Sequence, residues 1–205
     1  ALAVHVRPRL TEVARALARR PRLLLPWALY GMERFTVGLF VIVFPLWLLA
    51  QHGADPAARG RALAAFLLPF AFLQLGTYRL ARRFGPFALL AVGCGGYGVA
   101  FATLGRVGDG PYYPTLFALG ALAALIFPPT LALTAEWTAP ESRASALAGF
   151  NVAGSLGFAL GPIVGAWAHR SNPSGGFTAA FDLAAAAAFA GSLAAIVALV
   201  RARRR

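Results

Sequence analysis

The sequence predicts an all-α integral membrane protein of six transmembrane helices, and three observations predict it. Of the 205 residues 59% are apolar and only 13% are charged, too little charge to cover the surface of a soluble domain of this size. The charges gather between long apolar stretches that hold none or one, the segregation a bilayer imposes. Each stretch is long enough, at about 1.5 Å per residue, to cross roughly 30 Å of hydrocarbon.

Residues 1–23 form a basic lead segment. Within it, 8–22 read as an amphipathic helix, with Leu10, Val13, Ala14 and Leu17 at helical spacing and Arg9, Arg15, Arg19 and Arg20 filling the rest. Such a helix suits the membrane interface, its arginines among headgroups. The membrane domain occupies 24–200, with spans predicted over 24–50, 61–80, 86–105, 113–137, 144–168 and 177–200, and 201–205 form a basic tail. Polar, turn-rich breaks separate the spans at 51–60, 106–112, 138–143 and 169–176, and the break at 79–85 (RLARRFG) is short and basic. Pro45, Pro69, Pro128 and Pro129 fall inside spans as helix breakers.

Several function classes are excluded by what the chain carries. The single Cys94 lies in a glycine-rich apolar run, which gives no disulfide framework and no metal-ligand spacing, and no cofactor is expected. The net charge of +12 comes from arginines that flank apolar runs without aromatic interleaving, so the predicted partner is the lipid bilayer and not nucleic acid. Catalysis is not expected: Ser155 follows Gly154 directly, span six has no histidine, and His5, His52 and His169 lie outside the spans. The chain starts at Ala1 without a cleavable signal pattern, as expected of a piece of a longer protein.

Arginine counting gives the orientation. With the N-terminus inside, the inner segments hold fourteen arginines, from Arg7 to the tail, against four outside: Arg59, Arg61, Arg106 and Arg170. Both termini are therefore expected in the cytoplasm of a cell (inner) membrane protein.

An internal repeat adds to this. FPLWLLAQHGADPAARGRALAAF (44–66) aligns, with one gap, with FPPTLALTAEWTAPESRASALAGF (127–150), matching Pro56 and Arg59 to Pro140 and Arg143. The first copy joins spans one and two and the second joins spans four and five, on opposite membrane faces. Spans one to three and four to six are thus expected as an inverted 3+3 repeat.

Two motifs carry a family resemblance. LGTYRLARRFGPFALL (75–90) resembles the cytoplasmic loop signature of the major facilitator superfamily, with Leu80, Ala81, Arg83 and Gly85 in place, Arg79 and Arg82 adding charge, and Arg82 where the family usually has Asp. In span five, Gly154 and then Gly157-Phe-Ala-Leu-Gly161-Pro162-Ile-Val-Gly165 resemble the family's antiporter-type motif. Physically, such glycines make a smooth face for close helix packing and the proline bends the helix. The resemblance implies half of a twelve-helix fold with alternating access around a central cavity. The lead helix and the degenerate loop motif point to the second half, whereas Glu-Arg-Phe in span one is more typical of a first half. The implied function is secondary transport of a small-molecule substrate, as proton-coupled efflux, with the other six-helix half as partner. The contrasting class is a non-transporting six-helix protein that serves as an assembly or receptor partner.

Polar groups inside spans mark candidate positions. In Tyr30-Gly-Met-Glu33-Arg34-Phe-Thr36, the two charges lie about 3–5 residues from the span centre, roughly 5–8 Å from the midplane, where charge is expensive. The run resembles part of the first-helix motif of proton-coupled peptide transporters, with Tyr30 where that motif has a further Glu, so peptide specificity does not carry over. Two readings of the pair stand: a neutralising structural pair, or a proton site at Glu33 tuned by Arg34. Arg34 also suits an anionic substrate group. Gln74, Thr130, Thr134 and Asn151 read as interhelical bonds or as ligand contacts. Glu136 and Glu141 are expected to pair with Arg143, and Asp182 to reach water at the outer end of span six.

Overall fold

Within a bilayer every backbone group must be satisfied inside the segment, which a helix alone achieves without a closed sheet. The computed structural model describes residues 10–107, 111–172 and 175–204, and these form helices joined by short turns. Pro8 and Arg9 of the expected lead helix, residues 108–110 and 173–174 of two expected breaks, and Arg205 lie outside the described residues. The elements are α1 (Leu10–Arg19), α2 (Leu24–His52), α3 (Pro56–Phe84), α4 (Pro86–Leu104), α5 (Tyr113–Ala123), α6 (Phe127–Glu136), α7 (Arg143–Ser171) and α8 (Gly176–Arg203). Six segments are long and apolar enough to span a membrane: α2, α3, α4, α5 with α6, α7 and α8.

Four helices, α2, α3, α7 and α8, run further than the spans drawn from hydropathy. The expected break at 51–60 shrinks to Gly53–Asp55. Gly53 adopts φ 57° and caps α2, its N–H donating to the Leu49 carbonyl at 3.1 Å and that of Ala54 to Leu48 at 3.2 Å, a pairing that ends helices. The Asp55 side chain then accepts from the Ala58 N–H at 2.6 Å with Pro56 in the first helical position, so a dipeptide read as a turn starts the next helix. The basic 79–85 break is helical as far as Phe84, and Gly85 alone, at φ 85°, separates α3 from α4. At the other end, α1 stops at Arg19 and not at residue 22, because Pro21 disfavours helical geometry for Arg20 (φ −140°). A 3-10 turn, Pro21–Leu23, leads into α2.

Span four is interrupted. Its two pieces, α5 and α6, meet at a turn over residues 124–126, just before Pro128 and Pro129. The two consecutive prolines leave the Ala124 and Leu125 carbonyls without helical donors, which favours a break here. Pro45 and Pro69, expected as breakers, lie inside continuous α2 and α3, a correction to that expectation.

α2 packs along α7, α4 along α8, and α3 along α5. The α2–α7 contact is the closest. A Cβ on Gly157 would strike the Gly31 carbonyl, one on Gly161 the Phe35 carbonyl, and one on Gly154 the Tyr30 ring. At Gly38 a Cβ would strike the carbonyl of Phe158, the group that Pro162 leaves without its helical donor. At the end of the bundle remote from α1, Trp47, His52 and Tyr112 form an aromatic cluster, with Trp47 and His52 centroids 4.8 Å apart.

Candidate functional site

α2 carries two adjacent charges, and its packing separates their surroundings. Glu33 is fully buried while the Arg34 side chain keeps 23% of its exposure. The arginine folds back on its neighbour: Nε donates to Glu33 Oε2 at 2.7 Å and Nη2 to Oε1 at 2.8 Å. This two-point fork is the strong form of an arginine–carboxylate contact. It occupies one edge of the guanidinium, and Nη1 makes no hydrogen bond among the described residues.

The buried side of the pair is polar but closed. Thr36 donates to the Glu33 backbone carbonyl at 2.8 Å, and its hydroxyl lies 3.4 Å from that of Tyr97 on α4. Both Thr36 and Tyr97 are fully buried. Sequence reasoning missed Tyr97; its signal was a polar-tipped ring within the glycine-rich run of span three.

The open side is aromatic. The Arg34 guanidinium sits 5.6 Å from the Tyr30 ring centroid and 5.8 Å from that of Phe70 on α3, within reach of a cation–π attraction. Tyr30 stacks on Phe150 of α7 at 4.0 Å and meets Phe127 of α6 at 5.3 Å. The patch is thus a guanidinium with a free edge beside the Tyr30 and Phe70 rings, with Tyr30 backed by Phe127 and by the fully buried Phe150. Gln74, half-buried and one turn beyond Phe70, lies on the same face of α3 by helical spacing. Such a patch can hold a carboxylate, phosphate or carbonyl against Arg34 and stack a flat apolar group beside it.

Thr130 and Asn151 do not join this group. Thr130 is fully buried, its hydroxyl shared between the carbonyls of Ile126 at 3.1 Å and Phe127 at 2.7 Å. Thr134 and Thr138 donate back to the carbonyls of Thr130 and Thr134 at 2.9 and 2.7 Å, completing a self-satisfied ladder along α6 and the residues just after it. Asn151 is exposed on the outer face of α7.

The motif residues lie elsewhere. Arg79, Arg82 and Arg83 are exposed on the last turns of α3, before Gly85. Gly154, Gly157, Gly161 and Gly165 are buried and pack against α2, while Pro162 lies inside α7. Glu136 and Glu141 form no ion pair with Arg143 among the described residues, a correction to the expected pairing. Asp182 is exposed, as expected, and also pairs with Arg106 just beyond the end of α4, at 2.6 and 3.1 Å. That carboxylate holds the exposed Arg106 guanidinium above its ordinary pKa.

A sequence profile described as Major Facilitator Superfamily matches residues 27–205, from the first turn of α2 through the tail. No curated protein matches the chain.

Proposed function

As this chain belongs to the Major Facilitator Superfamily, a family of membrane transporters, we propose that it is one six-helix half of a secondary transporter whose solute path passes the Glu33–Arg34 pair. The observation that carries this is a charge pair within the membrane domain whose arginine keeps a free edge beside an aromatic patch. The open side of Arg34 leaves guanidinium donors able to meet a solute, which a fully enclosed pair would not offer.

The proposed substrate is a small solute, moved by alternating access between this half and a second one. α3 and α7 bury the smallest share of their apolar windows, which suits packing against a partner half. The lead helix before α2 supports reading this as the second half, and the arginine excess supports cytoplasmic termini. The inverted repeat fits the helix starts at Pro56 and Pro140, which open α3 and the 3-10 turn before α7. Coupling to protons, with Glu33 as the carrier and efflux as the direction, is the finer part of the proposal.

The test is solute flux by the natural full-length protein in sealed vesicles, with and without a pH gradient. Flux that depends on the gradient, and loses that dependence in Glu33→Gln, is expected. No flux under any gradient overturns the transporter reading, and a Glu33→Gln variant with unchanged pH dependence removes Glu33 from coupling.

A further inference from the structure

The lead helix does more than lie beside the bundle. Val13 and Leu17 pack on a buried cluster of Leu23, Trp27, Ala146 and Phe150, which fixes one face of α1 and turns its arginines toward the turn before α7. Between them is a cavity of about 310 Å³ lined by Arg15, Arg19, Arg20, Ser142, Ser145 and Glu141. Its size falls within the roughly 300–1,000 Å³ typical of ligand sites. We propose that this cavity binds a phosphate group, supplied by an anionic phospholipid.

The charge balance points to an anion. Three guanidinium groups face one carboxylate, Glu141, which is exposed and opposes the ligand. Arg15 and Arg19 form no ion pair among the described residues. Arg20 is held in place, its Nη1 donating to the Trp137 carbonyl at 2.6 Å, so its remaining donors are pre-oriented. Several guanidinium forks around one cavity match the many acceptor oxygens of a phosphate, and the first N–H groups of the long helix α7 add to the field at Ser142 and Ser145.

The neighbourhood points to a lipid as the source. Arg22 lies over the Trp137 ring at 5.4 Å, so Arg20 and Arg22 grip the same residue from its carbonyl and its ring. A second cavity of about 690 Å³ is lined by Arg22 and Trp137 of this clasp, with Arg201, Leu25, Phe87 and Val197. It offers apolar wall with arginines at its edge, the combination an acyl chain and headgroup require. A bound lipid would therefore tie α1 to the α6–α7 turn. This inference does not depend on the transport path at Arg34.

Native mass spectrometry of the detergent-purified natural full-length protein, titrated with phosphatidylglycerol, phosphatidylcholine or inorganic phosphate, tests it. One phosphatidylglycerol should bind saturably and more tightly than phosphatidylcholine. The triple variant Arg15→Gln, Arg19→Gln, Arg20→Gln should weaken it about tenfold or more. Arg79→Gln, Arg82→Gln, Arg83→Gln removes equal charge elsewhere and should leave binding unchanged. Because a triple variant can fail by misfolding, Glu141→Gln supplies a gain-of-binding arm and should tighten phosphatidylglycerol severalfold. Equal losses in the two triple variants, or no gain in Glu141→Gln, overturn the site. Displacement of phosphatidylglycerol by inorganic phosphate at these same arginines overturns the lipid source and assigns the cavity to free phosphate.

Discussion

The Thr77 hydroxyl on α3 donates to the carbonyl of Ala124 at 3.0 Å, at the point where span four breaks between α5 and α6. Pro128 is four residues on and has no N–H to meet that carbonyl, so the acceptor would otherwise be orphaned where no water competes. Thr77 is itself buried, at 1% exposure, and also reaches the Leu73 carbonyl at 3.1 Å. Thr77→Val keeps the shape and removes the donor. It should lower stability by about 1 kcal/mol, read as a reduced melting temperature in detergent, and Thr77→Ser should recover most of the loss. A valine variant that melts with the unaltered protein would remove this bond from the account of the broken span.

Cutting the Glu33–Arg34 pair should give unequal effects. Arg34→Gln strands a carboxylate that is fully buried, whereas Glu33→Gln strands a guanidinium that keeps 23% exposure and rests near two rings. Breaking a buried pair from one side costs about 3–5 kcal/mol; Arg34→Gln should approach that range and Glu33→Gln should fall below it. The double variant Glu33→Gln, Arg34→Gln should regain much of the larger loss, because no charge is left unmatched. Denaturation of all three variants closes this cycle, and additive losses would show that the two residues act independently.

Hydropathy and charge made the six spans legible, since the bilayer acts on every residue of a span in the same way. Glu33 and Arg34 stood out for the same reason: charge inside an apolar run is conspicuous. Their neighbours did not. Phe70, Phe127 and Phe150 come from three other helices, and a phenylalanine in a membrane span carries no mark of which face it occupies. Tyr97 and Thr77 act across helices, through contacts that only the packing defines. The glycines of α7 announced close approach by their spacing, but nothing in that spacing named α2 as the partner. Asp55-Pro56 was read only as part of a turn-rich break, and local geometry made it a helix start.

The α2–α7 seam gives a steric prediction. A Cβ on Gly161 would meet the Phe35 carbonyl, with the Leu39 nitrogen at 2.5 Å and the Gly38 carbonyl carbon at 2.9 Å. These are backbone atoms, which cannot rotate away as a side chain would. Gly161→Ala should force the helices apart and cost at least the roughly 1–3 kcal/mol of an overpacked core, seen as lost monodispersity or a lower melting temperature. Gly60→Ala is the control, since nothing lies within 4 Å of a Cβ there; in the second turn of α3 it should stabilise by up to about 0.5–1 kcal/mol. Equal behaviour of the two variants would contradict a tight seam.

Gly53 and Gly85 both end helices at positive φ, yet they should respond differently to asparagine. Gly53, at φ 57° and ψ 24°, is in the left-handed helical region, which asparagine tolerates. Gly85, at φ 85° and ψ 146°, is outside that region, in territory that side-chain-bearing residues rarely enter. At neither position would a Cβ have a neighbouring atom within 4 Å, so packing does not confuse the comparison. Gly53→Asn should therefore be close to neutral, while Gly85→Asn should cost about 1–3 kcal/mol or shift the end of α3. The consequence would be local to the α3–α4 connection, and hydrogen exchange at Phe84 and Phe87 should report it as faster opening. Matched melting temperatures and matched exchange in the two variants would show that the α3–α4 turn relaxes to a conformation open to any residue.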